Sequence, residues 1–139
     1  MTAREYLERP ETMRLEICRK RTRIETLRRL ATRFSAPPDA VRVKASPDPS
    51  RMETFLAEAA DEEQAIRLLD EKRKRALADA ALLIARLPDE KMARIMEMRY
   101  LDKLPWEEIT DRIGCSPSHI YRLHQLALDI LTPPPDVPD

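Results

Sequence analysis

The segment from Trp106 to Gln125 has the residue types and the spacing of a DNA-binding helix-turn-helix. Counted from Trp106, the fourth, eighth, fifteenth and eighteenth positions must be apolar, because they face the small core of such a motif. These four positions carry Ile109, Ile113, Ile120 and Leu123. The ninth position needs left-handed backbone and holds Gly114, the only glycine of the chain. Ser116 and Pro117 then provide an N-cap and a first-turn proline. The spacing predicts helices over 106–113 and 117–131.

The second of these helices would present polar side chains to DNA. Arg122 can donate to both O6 and N7 of guanine, and Gln125 can bond N6 and N7 of adenine. Tyr121 can contact a thymine methyl group or a phosphate. The helix N-terminus at Ser116 and Ser118 favours phosphate, because free backbone N–H groups point outwards there. The predicted DNA-binding residues are Ser116, Ser118, His119, Tyr121, Arg122 and Gln125.

Two features of the motif leave a second interpretation open. Thr110 stands at the fifth position, where a smaller alanine is more common. Residues 104–131 hold two arginines against four acidic residues, so Glu107, Glu108 and Asp111 have to face away from bound DNA. A helical hairpin that only caps a larger bundle therefore remains the alternative.

The sequence offers little for other kinds of chemistry. A single glycine excludes the glycine-rich loops that cradle phosphates. His119 and His124 lie on different helix faces with no cysteine or carboxylate pair to complete a metal site. Glu107 and Glu108 are consecutive helical residues and do not face each other. The basic run 72–75 is either a nucleic-acid patch or a solvated helix face. We expect no catalytic residue, no metal and no cofactor, and hence a protein that is not an enzyme.

The elements that position the motif are predicted to be all-α. Aromatic residues are 4% of the chain, and the apolar remainder of Leu, Ile, Met and Ala favours helices. Heptad patterns over 11–34 and 51–87 predict a long antiparallel, coiled-coil-like hairpin, with Lys20, Glu62 and Arg73 as polar residues at core positions. A proline-containing connector spans 35–50, where Val41 and Val43 alternate with basic residues as in an extended strap. Ala3 to Arg9 is predicted to be a separate helical turn, kinked at Pro10.

Pro88 is predicted to end the long helix and Asp89 to cap a third helix that runs to Tyr100. The predicted domains are a hairpin over 1–87, a three-helix helix-turn-helix module over 88–131 and a disordered tail over 132–139. The second helix exceeds the first by nearly 20 Å, at about 1.5 Å per residue. Its uncovered apolar seam must pack against the C-terminal module, the first residues or a second copy of the chain, and we expect a homodimer.

The chain has 25 basic and 25 acidic residues, but residues 1–36 alone carry an excess of five positive charges. Cys18 and Cys115 are predicted to be free thiols, which is typical of a reducing compartment. The sequence shows neither a signal peptide nor an apolar run long enough to span a bilayer. We expect a cytoplasmic protein that does not enter a membrane.

Leu87 to Leu131 resembles region four of bacterial sigma factors. The shared features are Arg-Tyr-Leu at the end of the third helix, Trp-Glu-Glu-Ile at the start of the fourth, and a serine-started recognition helix that ends in Ala-Leu. Upstream, the segment from Tyr6 to Arg33 and the Val-Arg-Val connector are similar to small phage-encoded proteins related to the ArpU and RinA late-transcription regulators. The resemblance implies that Arg122, Tyr121 and Gln125 read double-stranded DNA at a phage or prophage promoter in a bacterial host.

Two functions follow from these patterns. The first is a phage-encoded transcriptional regulator that binds DNA through its C-terminal helix-turn-helix, with host RNA polymerase as a further partner. The second is a non-enzymatic interaction module that binds RNA polymerase or a phage packaging component, in the manner of a small terminase subunit. The acidic balance after residue 36 supports the second.

Overall fold

The computed structural model describes residues 1–35 and 48–135, and these contain helices and no strand. This confirms the all-α prediction and the pairing of two long helices. The strap predicted around Val41 and Val43, most of the connector and the last four residues lie outside the described residues. The five α-helices are α1 (Ala3–Arg33), α2 (Pro49–Ile84), α3 (Glu90–Met96), α4 (Trp106–Ile113) and α5 (Pro117–Ile130).

The prediction that Ala3 to Arg9 forms a separate helical turn is wrong, because α1 runs through Pro10 without interruption. The helix starts at a reciprocal cap that the sequence interpretation overlooked. The Thr2 hydroxyl accepts from the Glu5 amide at 3.1 Å, and a Glu5 carboxylate oxygen accepts from the Thr2 amide at 3.0 Å. Pro10 removes one backbone hydrogen bond, but its ring is fully buried. The helix therefore continues where its apolar contacts favour continuation.

The continuous α1 also removes the reason given for a dimer. The two long helices have 31 and 36 residues, so the predicted excess length is mostly absent. The seam at the end of α2 is covered from within the chain, by the start of α1 and by the C-terminal helices. The buried residues that share this core include Ala3, Tyr6, Leu7, Leu83, Ile84, Leu87, Met92 and Ile95. No second copy is required to cover it.

The chain divides into two compact units, and the boundary crosses both long helices. In its described parts, the C-terminal unit comprises residues 1–12 and 73–135, and the hairpin unit comprises residues 13–35 and 48–72. The predicted boundary at residue 87 differs, because the first turns of α1 and the end of α2 belong to the core of the helix-turn-helix.

The hairpin unit has a narrow apolar seam with charged flanks. Ile24, Leu27 and Ala59 are buried at its centre, with Phe55 and Ile66 half-buried beside them. Two of the polar residues at predicted core positions form an ion pair, since Lys20 Nζ lies 3.4 Å from a carboxylate oxygen of Glu62.

The C-terminal unit differs from the prediction in its third helix. Asp89 caps α3 by accepting from the Lys91 amide, as predicted. After Met96, however, the backbone widens into a π-helical turn, Glu97–Leu101. Such π-helical segments are rare and occur mostly as single turns inside or beside α-helices. Lys103 follows with a φ of 57°, and the chain then enters α4. None of the helices in the described part of the chain contains a stretch that is both long and apolar enough to cross a membrane.

Candidate nucleic-acid interface

Local sequence fixes the geometry of the turn between α4 and α5. Gly114 ends α4 in the left-handed region with a φ of 79°, and its amide donates to the Thr110 carbonyl at 2.9 Å. The Ser116 hydroxyl accepts from the His119 amide at 3.3 Å, and Pro117 occupies the first turn of α5. The predicted boundaries of α4 are confirmed, and α5 starts at the predicted residue and ends one residue early.

The apolar positions of the motif hold α5 on a packed scaffold. Ile109 and Ile120 are at most 1% exposed, and Leu123 is buried with them. These side chains share one core with Ile95 and Met96 of α3. The Thr110 hydroxyl donates to the Trp106 carbonyl at 2.9 Å, so the unusual residue at the fifth position has a satisfied polar group.

The predicted DNA-binding residues differ in exposure. Ser118 and Arg122 are exposed near the start of α5, and Tyr121 is 63% exposed. His119 and Gln125 are half-buried, which is less exposed than a fully solvent-facing surface would require. Ser116 is exposed and is used as the helix cap.

The structure brings two of these residues into direct contact. Nη2 of Arg122 donates a hydrogen bond to Nδ1 of His119 at 2.7 Å. Arginine is always a donor, so Nδ1 of the imidazole is the acceptor in this hydrogen bond. The contact restrains a long side chain and orients its guanidinium before any ligand binds.

Lys91 is a candidate site residue that sequence reasoning missed. Its Nζ donates to Sγ of Cys115 over 3.7 Å, which places a cation beside the turn that precedes α5. The two residues are 24 positions apart, and only the packing of α3 against α5 brings them together. No sequence motif signals this pairing.

His124 was also missed, and its role is structural. It is 2% exposed, and its Nε2 is hydrogen-bonded to the Tyr100 hydroxyl at 2.7 Å. The Trp106 ring meets it edge-on at 4.8 Å. Burial lowers the pKa of His124 to about 4, with smaller contributions from Arg4 and Arg99. The imidazole is therefore neutral at pH 7 and joins the π-helical turn to α4 and α5.

Acidic residues outnumber basic ones around the motif. Residues 88–131 contain six Lys and Arg against eight Asp and Glu. Glu108 lies 2.8 Å from Arg112 in an ion pair, whereas Asp129 is exposed two turns beyond Arg122 on the same side of α5. The arrangement suits base reading by a few positioned groups better than strong attraction to phosphates. Within residues 1–35 and 48–135, no three potential ligands among His, Cys, Asp and Glu are grouped to hold a metal ion.

Comparisons with known proteins place the chain in a family without assigning an activity. No curated protein and no solved structure matches it significantly. Residues 55–132 match a family model described as a protein of unknown function, DUF1492. The matched segment runs from the second turn of α2 to just past the end of α5 and covers more than half of the 139 residues. The chain therefore belongs to the DUF1492 family.

Proposed function

We propose that this protein is a DNA-binding transcriptional regulator that acts through α4 and α5. The observation that carries the proposal is the polar outer side of α5, supported from behind by a core in which Ile109 and Ile120 are fully buried. A recognition helix needs this combination, because base reading requires exposed hydrogen-bond donors on a backbone that packing holds in place.

Each polar group of α5 has a distinct role in this proposal. Arg122 reads guanine, and its hydrogen bond with His119 orients the guanidinium in advance. Gln125 reads adenine one turn further along the helix. Ser118 and Lys91 hold phosphates at the start of α5, where backbone N–H groups also point outwards. Tyr121, beside a cavity of about 190 Å³, contacts a thymine methyl group or a phosphate.

The biological setting is part of the same proposal. The resemblance to sigma region four and to the ArpU and RinA regulators supports a phage or prophage protein that acts at a promoter together with host RNA polymerase. The described structure supports it only through its helical order and the helix-turn-helix geometry. The regulator would be non-enzymatic and cytoplasmic.

Duplexes selected from a random pool would test the proposal by fluorescence anisotropy. We expect one motif to be enriched, and Arg122→Ala to cost about 1–3 kcal/mol at a single base position within it. Arg112→Ala is the matched control, since it removes the same charge from α4, where the guanidinium is paired with Glu108 and belongs to none of the proposed base contacts. If no motif is enriched over random duplex even at low salt, the proposed function is wrong.

A specific observation favours the second candidate function, an interaction module for RNA polymerase or a packaging component. Leu126 and Ile130 are 45% and 48% exposed, one turn apart on the C-terminal half of α5. A pair of exposed large apolar side chains is a candidate protein contact. A Leu126→Ser, Ile130→Ser variant that loses binding to purified RNA polymerase and keeps DNA affinity would support this candidate. Unchanged polymerase binding would exclude this pair as the contact.

A further inference from the structure

The part of α1 in the hairpin unit is strongly basic. Residues 13–33 contain eight Lys and Arg against two Glu. Cations that flank the apolar seam form ion pairs across it with carboxylates of α2. These interhelical pairs are Lys20 with Glu62, Arg23 with Glu58 and Glu62, and Arg28 with Glu63. The other basic residues of this segment do not take part in these interhelical pairs.

Three of the remaining arginines lie along the outward side of the helix. Arg19, Arg29 and Arg33 are all exposed, and their spacing of ten and four residues places them on one stripe about 21 Å long. We call these three residues the α1 basic face. Arg29 lies 3.7 Å from Glu25, but both side chains are at least 70% exposed, and such a pair neutralises little. Within the described residues, neither Arg19 nor Arg33 has an ion-pair partner.

The side chains between these arginines do not cancel their charge. Thr22 and Thr26 lie on the same stripe, and their hydroxyls donate to the backbone carbonyls four residues earlier, at 3.2 and 3.1 Å. Around the helix, an open groove of about 540 Å³ is lined by charges of both signs, namely Arg21, Arg28, Arg67, Glu25 and Glu63. Arg67 donates to the neutral amide oxygen of Gln64, and this contact does not neutralise its charge.

We propose that the α1 basic face binds the phosphate backbone of duplex DNA without reading sequence. This inference rests on the proposed function and adds a second contact to it. Residues 88–131 carry two more acidic than basic residues, so the helix-turn-helix provides little counterion release. The electrostatic part of DNA affinity scales with the number of phosphates neutralised. Arginine suits this ligand, because its planar fork binds phosphate oxygens in pairs.

The observations favour DNA over an anionic membrane surface. A helix that lies on a bilayer needs an apolar side to insert. Ile17, Ile24 and Leu27 are buried in this helix. Between residues 13 and 33, Leu15 is the one large apolar side chain exposed to solvent. A single leucine provides little insertion, whereas the arginines remain available to phosphates.

The test is binding of the full chain to a random-sequence duplex over a series of salt concentrations. For the variant Arg19→Gln, Arg29→Gln, Arg33→Gln we expect affinity at low salt to fall at least about tenfold. The slope of log K against log salt should fall by about 2 to 3, at roughly 0.9 per lost phosphate contact. The matched control is Arg4→Gln, Arg86→Gln, Lys103→Gln, which removes three exposed charges from outside the proposed DNA contacts and the basic run 72–75 and should change affinity by less than about twofold.

The outcomes separate this inference from the proposed function. An Arg122→Ala, Gln125→Ala variant should keep its affinity for random duplex, even if no selected motif is ever found. Equal losses in both triple variants would overturn the inference, because net charge alone would then explain binding. No random-duplex binding at low salt would also overturn it. So would unchanged duplex affinity together with lost binding to phosphatidylserine-containing vesicles. Circular dichroism checks that each variant keeps its helix content.

Discussion

The two units of this protein are built from similar heptad patterns, yet they bury side chains to different depths. Every large side chain that is less than 2% exposed belongs to the C-terminal unit, in the described part of the chain. These residues are Leu7, Pro10, Ile84, Ile95, Met96, Ile109 and Ile120. In the hairpin unit, the buried residues Ile24 and Leu27 are 6% and 3% exposed. Two helices can cover only one seam, whereas several helices can surround a core.

This difference matches the kind of contact that each unit is proposed to make. Base reading needs positions held to within a fraction of an ångström, which a packed core provides. Attraction to phosphates depends on the number of charges and tolerates looser positions. In its described parts the C-terminal unit has 24 charged residues among 75, against 21 among 48 in the hairpin unit. The hairpin unit therefore has the higher density of charge and the narrower core.

The largest expected effect is a cavity in the deeper core. Ile109→Ala should lower the free energy of unfolding of the C-terminal unit by about 3–4 kcal/mol, since Ile109 is fully buried between helices. Ile24→Ala is the matched change in the hairpin unit and should cost about 2 kcal/mol or less, because the thinner seam can collapse around it. Fluorescence of Trp106, the single tryptophan, reports the first unit, and hydrogen exchange of the α1 amides after residue 13 reports the second. Equal costs would contradict the comparison.

The next effect is a loss of stability in acid that originates in the C-terminal unit. The folded-state pKa of His124 is about 4, below the ordinary value of about 6.5. Above pH 6.5 the imidazole is neutral in both the folded and the unfolded state, so its lowered pKa does not reduce the free energy of unfolding there. Between pH 6.5 and 4 only the unfolded chain takes up the proton. Stability should therefore fall by about 1.4 kcal/mol per pH unit, to a total of about 3 kcal/mol.

A pair of variants isolates this contribution from that of the carboxylates. His124→Phe together with Tyr100→Phe keeps two stacked rings and leaves no hydroxyl unpaired, so the free energy of unfolding should lose that part of its pH dependence. His119→Gln removes the other histidine, which is only half-buried, and should leave the pH dependence in place. If the His124 variant unfolds with the original pH dependence, the imidazole is not the group responsible.

Local signals in the sequence were sufficient where they acted over a few residues. Gly114, Ser116 and Pro117 predicted the turn and the start of α5, because caps and left-handed positions depend on nearest neighbours. Long-range packing could not be predicted from the sequence. The continuation of α1 through Pro10 and the approach of Lys91 to Cys115 depend on which helices meet. The imidazole of His124 likewise became buried through tertiary contacts, although its spacing from His119 correctly placed the two on different faces.

A smaller effect is expected from the turn that both the sequence and the structure identify. Gly114→Ala should cost about 1–2 kcal/mol, because an L side chain is strained at a φ of 79°. The cost is purely conformational, since an added Cβ would meet no atom within 4 Å. Gly114→Asn should cost less, as asparagine tolerates this region. Thermal unfolding followed by Trp106 fluorescence would measure both. A much larger loss for alanine would mean that the site is crowded.

The smallest expected effect concerns the polar contact inside the hairpin seam. Lys20 and Glu62 are 26% and 24% exposed and lie 3.4 Å apart, and Glu62 also lies 3.9 Å from Nε of Arg23. A double-mutant cycle of Lys20→Gln and Glu62→Gln should give a coupling of about 0.5 kcal/mol that decreases in 1 M salt. A coupling above about 2 kcal/mol that persists in salt would show that this pair is a main source of stability. The stability of the hairpin unit would then depend on one specific ion pair, as that of the C-terminal unit depends on specific packing. The two units would no longer differ in this respect.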